Sequence, residues 1–341
     1  MSGRVDGVAR PRACVLVVAA WLAVFGVVVP APVPASGAQS RNGRVLAVIG
    51  RQVGLLNFDA PRPRVLTALT PPSFAVDVAA VGALPVVALA VAEPFGGQGE
   101  LGGDILGLSL ASADDGLFPL VPRAAPGEWL GGPAWLPDGS ALVFQREDVS
   151  AGSDLYAGYA TVRYPARIEM VPSTGGGRTV LITDGHNPAP SPDATELAFV
   201  RLSPSGSMLL AHDLTSGEER VLVPSGVLPD MAFPRYSPSG DRIAFVATSA
   251  SSQTEPSLAW LMPMVALAHG PPWDLWLVQR DGSGLRQLAA VGADDASVAW
   301  SPDGTQLFVY GSTGARLVDA STGETDVLPY LAGYGAIAWL S

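Results

Sequence analysis

The side chains that most often carry covalent or acid–base chemistry are scarce in this sequence. There are three histidines, His186, His212 and His269, in unrelated contexts and without metal-ligand spacing. The one cysteine is Cys14, so no Cys-x-x-Cys motif and no intramolecular disulfide can form. All 20 basic residues are arginine, which excludes a phosphate-loop lysine and a Schiff-base lysine. No Gly-x-Ser-x-Gly nucleophile elbow occurs, and the nearest string, Gly107 to Ala111, reads as part of a strand. The sequence therefore assigns no catalytic residue, no metal ligand and no cofactor. What remains is a set of acidic, polar and aromatic residues: Glu128, Trp129, Asp184, His186, Asn187, Asp230, Asp294, Asp295, Tyr330 and Tyr334. Such a set suits recognition of a cationic peptide segment or a sugar. Trp260 joins it from an uncharged stretch over 258–268 that also carries Met262 and Met264. His212 reads as a solvated strand residue, and His269 has no evident partner.

The elements that would position these residues are legible as a repeat. PAWLPDGSALVFQ (133–145), PAPSPDATELAFVR (188–201), PRYSPSGDRIAFVA (234–247) and VAWSPDGTQLFVY (298–310) each run strand, turn, strand. Proline presets the backbone in the turn, and glycine accepts the left-handed conformation that closes it. A degenerate copy spans 75–91, with Gly82 at the turn. Asp138 and Asp303 read as caps of turn N–H groups. Trp135, Tyr236, Trp300 and Trp339 share one repeat position and read as packing between units. A second hairpin follows each copy, at 53–67, 104–121, 166–183, 207–223, 273–289 and 314–329. That leaves six second hairpins for five first ones. The missing half is divided between 42–50, which matches a strand leaving a turn, and 335–341, which matches a strand entering one. The expected fold is all-β: a six-bladed β-propeller of four-stranded antiparallel blades, closed by pairing of the N- and C-terminal strands.

The composition agrees. Glycine (39) and proline (31) make up about a fifth of the chain, while 48% of residues are hydrophobic. That combination disfavours long helices and supplies enough apolar surface for a core. The net charge of −11, with no basic cluster, argues against a nucleic-acid partner. Arg4, Arg10 and Arg12 precede an apolar run over 13–29, then three prolines and Ser36-Gly37-Ala38. This order reads residues 1–38 as a secretory signal peptide or an N-terminal membrane anchor, with 42–341 as the propeller. The 13–29 run would be the tether if it is kept. The location expected on this reading is extracytoplasmic: secreted, periplasmic or anchored on the outer side.

Trp300-Ser301-Pro302-Asp303-Gly304, followed by an apolar strand, resembles the turn that marks TolB-type propellers, and 135–139 and 236–240 match it in part. The resemblance covers about 300 residues and implies the same propeller. It lacks the α/β domain that precedes the propeller in TolB, so the partners of TolB, including the peptidoglycan-associated lipoprotein, do not carry over.

In an up-and-down blade the Ser-Pro-Asp-Gly turns share one face, and the long insertions at 92–103, 146–165 and 248–272 share the other with the crossovers between blades. Long loops on a rigid scaffold are where binding usually resides. The expected function is a monomeric, non-enzymatic propeller that binds a protein or peptide through this loop-rich face. The alternative is a carbohydrate-binding module or a hydrolase- or lyase-type enzyme with its site at the mouth of the central channel.

Overall fold

A computed structural model describes residues 44–58, 62–95, 100–111, 116–149, 165–248 and 272–340. The proposed signal segment and the apolar stretch 258–268 lie outside these residues. The described chain is all-β, with strands in consecutive sets of four. β1 (Arg44–Ile49), β2 (Gln52–Asn57) and β3 (Arg64–Ala68) form one unit together with the last strand, β24 (Tyr334–Leu340), which pairs antiparallel with β1. The next is β4 (Phe74–Ala79), β5 (Val86–Phe95), β6 (Glu100–Ser109) and β7 (Leu117–Val121). Then come β8 (Glu128–Trp135), β9 (Ala141–Asp148), β10 (Ala166–Pro172) and β11 (Thr179–Ile182). The fourth unit is β12 (His186–Pro190), β13 (Glu196–Ser203), β14 (Gly206–Asp213) and β15 (Glu219–Val223). The fifth is β16 (Met231–Tyr236), β17 (Arg242–Thr248), β18 (Trp273–Gln279) and β19 (Arg286–Ala293). The sixth is β20 (Ser297–Trp300), β21 (Gln306–Gly311), β22 (Gly314–Asp319) and β23 (Thr325–Leu328).

The first strand of each unit contacts the first strand of the next, in the order β24, β4, β8, β12, β16, β20 and back to β24. The core is divided in the same way. Six apolar clusters each span two neighbouring units, such as Phe308 and Tyr310 of β21 with Val45 and Ala47 of β1. A single antiparallel sheet cannot cover both of its faces, so each unit buries its faces against its two neighbours. This explains why the second strands are apolar without alternation: Leu197 to Val200 and Ile243 to Ala247 are buried throughout. The outer strands cover less, and Val65, Val180, Val221 and Val327 stand exposed on them.

The turns behave as the repeat implies. Asp138 accepts the Ser140 N–H at 2.9 Å and Asp303 accepts the Thr305 N–H at 3.0 Å, while Gly139 and Gly304 adopt φ of 71° and 72°. The residues at the shared aromatic position pack between units. Trp135, Tyr236 and Trp300 are buried in clusters shared with the preceding unit, and Trp339 meets Phe308 of β21 edge-on at 6.3 Å.

Two expectations are corrected. Most of the 92–103 insertion is strand: β5 and β6 pair as far as Phe95 and Glu100, so only 96–99 intervene. Gly102 and Gly103 permit this, because a Cβ there would lie 2.1 Å from the Pro126 carbonyl and 2.5 Å from the Val91 carbonyl. The backbone therefore runs against the 122–128 crossover, and Gly103 pairs with Trp129 of the next unit. His212 is buried rather than solvated, because β14 is an inner strand between β13 and β15, and its Nδ1 lies 4.0 Å from Glu219.

Candidate binding face and central channel

The antiparallel order places all first strands parallel to one another around the ring, so their starting residues gather at one end. Glu128 and His186 open β8 and β12, Asp230 immediately precedes β16, Asp294 and Asp295 precede β20, and Tyr334 opens β24. The connections β5–β6, β9–β10 and β17–β18 leave from this same end.

Most of the residues singled out are committed within the fold. Glu128 is buried and takes Arg146 Nε at 3.0 Å and Arg178 Nη1 at 2.7 Å on Oε1, with the Ala124 N–H on Oε2. Burial pushes its carboxyl up, but the Ala124 N–H and the two guanidiniums outweigh it and hold the group below its usual range. Trp129 lies over Gly131, where a Cβ would come within 2.7 Å of the indole nitrogen. Asp184 is exposed and sits 3.9 Å from Arg201. Asp230 is fully buried, and its carbonyl accepts the Thr248 N–H at 3.1 Å. Asp294 receives the Ser312 N–H at 3.0 Å on its carbonyl, and Asp295 adopts φ of 51°. Tyr334 donates to the Gly50 carbonyl at 3.0 Å, with its phenol pushed up by burial, and Tyr330 donates to Phe58 at 2.9 Å. Trp260 lies outside the described residues.

The structure does bring His186 and its neighbour to the adjacent unit. His186 is buried with Nδ1 3.8 Å from Glu147 Oε1, and that same oxygen accepts Gln145 Nε2 at 2.7 Å. Asn187, at φ of 50°, donates its N–H to Gln145 Oε1 at 2.8 Å. The acidic residues do not converge. Among the described residues, no group of three or more His, Cys, Asp or Glu could hold a metal ion.

Two residues that the sequence reading passed over lie within the ring itself. Asp77 of β4 is buried, accepting N–H groups from both neighbouring first strands, Gly132 at 2.9 Å and Ala336 at 2.6 Å. Burial pushes its carboxyl up, with the two N–H groups and the Arg235 charge acting against that. Arg235 of β16 is pulled down to about 10 by burial, with Asp77 opposing. Aligning the repeats exposes the signal: Arg235 occupies a position held by alanine in the other five units.

No protein-family model matches the sequence, and no curated protein does. Solved structures do resemble the fold. TolB from Acinetobacter baumannii aligns over 88% of this chain and 67% of its own at 15% identity, with a TM-score of 0.60. A chain assigned as TolB from Agrobacterium tumefaciens aligns over 88% and 99% at 16% identity, with a TM-score of 0.59. A chain of a nidogen/laminin complex aligns over 87% and 98% at 12% identity, also with a TM-score of 0.59. At these identities the likeness is one of fold, and the fold is the β-propeller found in TolB.

Proposed function

We propose that the chain is an exported, non-enzymatic β-propeller that binds a protein or peptide partner through the face where its first strands begin. The observation that carries the reading is the common exit of the β5–β6, β9–β10 and β17–β18 connections at that end. In sequence the last two have 17 and 24 residues between their strands, 149–165 and 249–272. Loops of that length on a rigid sheet framework are the usual carriers of recognition. The carboxylate and phenols best placed for acid–base work there are occupied: Glu128 by two arginines, Tyr334 and Tyr330 by backbone carbonyls. A chain from a complex between two proteins shares the fold, which supports the same use of the scaffold. The apolar 258–268 stretch with Trp260, Met262 and Met264 would supply adaptable contact surface. The N-terminal arginines and the 13–29 run support a location outside the cytoplasm, with the segment cleaved after Ala38 or kept as a tether.

The test is capture of envelope proteins on the immobilised chain, compared with the Trp260→Ala/Met262→Ala/Met264→Ala variant. A partner held by the wild type and released by a variant of unchanged melting temperature supports the reading. Equal capture by both removes the insertion as the docking surface.

A further inference from the structure

Four first strands carry an aromatic residue where the chain enters the turn: Trp135, Tyr236, Trp300 and Trp339. Register makes them equivalent and aligns what lies beside them on the next two strands. Trp135 opposes Leu142, which opposes Val171. The matching trios are Tyr236, Ile243 and Val278; Trp300, Leu307 and Val318; and Trp339, Val45 and Leu56. Two residues beyond the last member of each trio stand Ser173, Arg280, Ala320 and Phe58 respectively. From that place a unit can cover its own aromatic ring. Arg280 lies over Tyr236, its guanidinium carbon 5.9 Å from the ring centre, and Phe58 meets Trp339 edge-on at 5.1 Å. Ala320 is too short to do so, and there the preceding unit supplies the cover: Arg242 lies 5.2 Å from the Trp300 ring centre.

Trp135 has neither cover. Ser173 is too short, and Val86 stands in the place of Arg242, because Ala88 opposes Ala79 as Ala244 opposes Arg235. A cleft of about 200 Å³ opens there instead, between β7 of the second unit and the β10–β11 turn of the third. Its floor is the buried Trp135, Leu142 and Val171, and its rim is the exposed Pro119, Pro172 and Thr174. The indole is also left less tied than its counterpart. Trp300 donates its N–H to the Arg235 carbonyl at 2.9 Å, whereas Trp135 Nε1 is buried without a hydrogen-bond partner among the described residues. Charge decides between the two kinds of cover. Arg280 is paired with Asp193 at 2.8 Å and with Glu196 at 2.9 Å. The described residues that line the cleft are all uncharged, so a guanidinium seated on Trp135 would find no carboxylate among them. The neutral ring of Phe58 is the precedent that fits. The volume agrees, since an apolar cavity of about 150 Å³ holds a benzene ring.

We propose that this cleft is a docking site for an aromatic side chain presented by a partner peptide, packing against Trp135 as Phe58 packs against Trp339. The exposed rim admits a side chain from solvent, and contact between two rings adds to the apolar area buried. The cleft lies at the end of the ring that carries the Ser-Pro-Asp-Gly turns, opposite the loop-rich face, and does not depend on the partner proposed there.

The experiment titrates the full chain, by ligand-observed NMR, with acetyl-Gly-Phe-Gly-amide, acetyl-Gly-Arg-Gly-amide and acetyl-Gly-Gly-Gly-amide. Ser173→Phe supplies in the third unit the ring that Phe58 supplies in the first. Ser173→Leu fills the same cleft with a smaller group and serves if Ser173→Phe does not fold; melting curves check both. Saturable binding of the phenylalanine peptide, at least about tenfold tighter than the other two and lost in a folded cleft-filling variant, supports the site. No saturable binding of that peptide, binding of the arginine or glycine peptide as tight, or binding unchanged in the folded variant overturns the proposal. Self-association of the wild type that the filled variant loses, followed by analytical ultracentrifugation, would assign the cleft to a second copy and overturn it as well.

Discussion

Asp77 Oδ1 accepts the Ala336 N–H at 2.6 Å across 259 residues of sequence, while Oδ2 accepts the Gly132 N–H at 2.9 Å. One carboxylate thus ties β4 to the strand on either side of it, one of which is the terminal strand. Asp77→Ala strands two buried N–H groups, at about 1–3 kcal/mol each, offset in part by removal of a buried charge. The expected result is a lower urea midpoint, with Asp77→Asn intermediate because it keeps one acceptor oxygen. An unchanged midpoint in Asp77→Ala would refute the tie.

The pH dependence of that group has a defined sign. Burial raises the Asp77 carboxyl in the folded chain above its ordinary value. Its contribution to stability is therefore fully present below the ordinary carboxylate pKa and is lost as pH rises through the raised one. The stability difference between wild type and Asp77→Asn should shrink over that rise. A difference that grows with pH would contradict the assignment.

β24 completes the first unit, with Trp339 opposite Val45 and Ala338 opposite Leu46, and it supplies Ile337 to the cluster shared with β21. Removal of residues 335–341 exposes the edge of β1 and opens two apolar clusters to water. The truncated chain should lose its single cooperative thermal transition, as followed by calorimetry. A truncated chain that melts like the full one would show that the ring does not depend on closure through its termini.

Glu128 responds to pH in the opposite sense to Asp77. Its folded pKa is depressed, so its contribution is present above the ordinary glutamate range and is lost as pH falls through the depressed value. Glu128→Gln should cost about 3 kcal/mol at neutral pH, the low end for a broken buried pair because both arginines keep some contact with water. Denaturation at a series of pH values should show the gap between wild type and variant closing on acidification. A gap independent of pH would mean that the ion pairs contribute nothing.

Tyr236 donates to Glu196 Oε1 at 2.7 Å, the same oxygen that Arg280 reaches at 2.9 Å, linking the fourth unit to the fifth. Burial, reinforced by the Glu196 charge, pushes its phenol well above the ordinary tyrosine value. Tyr236→Phe should lower stability by about 1.5–3 kcal/mol, the usual worth of a hydrogen bond to a charged group. In an alkaline absorbance titration it should remove no tyrosinate signal from the ordinary range. Loss of signal there would place the Tyr236 phenol in contact with solvent.

How much was readable in the sequence depends on the range of each interaction. Asp138 and Asp303 cap hydrogen bonds two residues away, so their roles follow from the Ser-Pro-Asp-Gly string itself. Strand pairing within each unit follows as well, because alternation and turn position fix register between neighbours in sequence. The extended β5–β6 hairpin was hidden, since Gly102 and Gly103 read as loop residues until the close approach of Pro126 and Val91 explains them. Glu128 and His186 look like channel-mouth groups in sequence, and only packing shows the first consumed by arginines and the second buried against Glu147. The row of five alanines and Arg235 is present in the aligned repeats, yet it has no meaning along a linear chain. Only packing brings the Asp77 charge to bear on Arg235, three places away around the ring. The sequence by itself determined the repeated four-stranded units and their turns. Only the tertiary structure decided which charges are paired and which are buried, because burial and charge compensation depend on neighbours far apart in the chain.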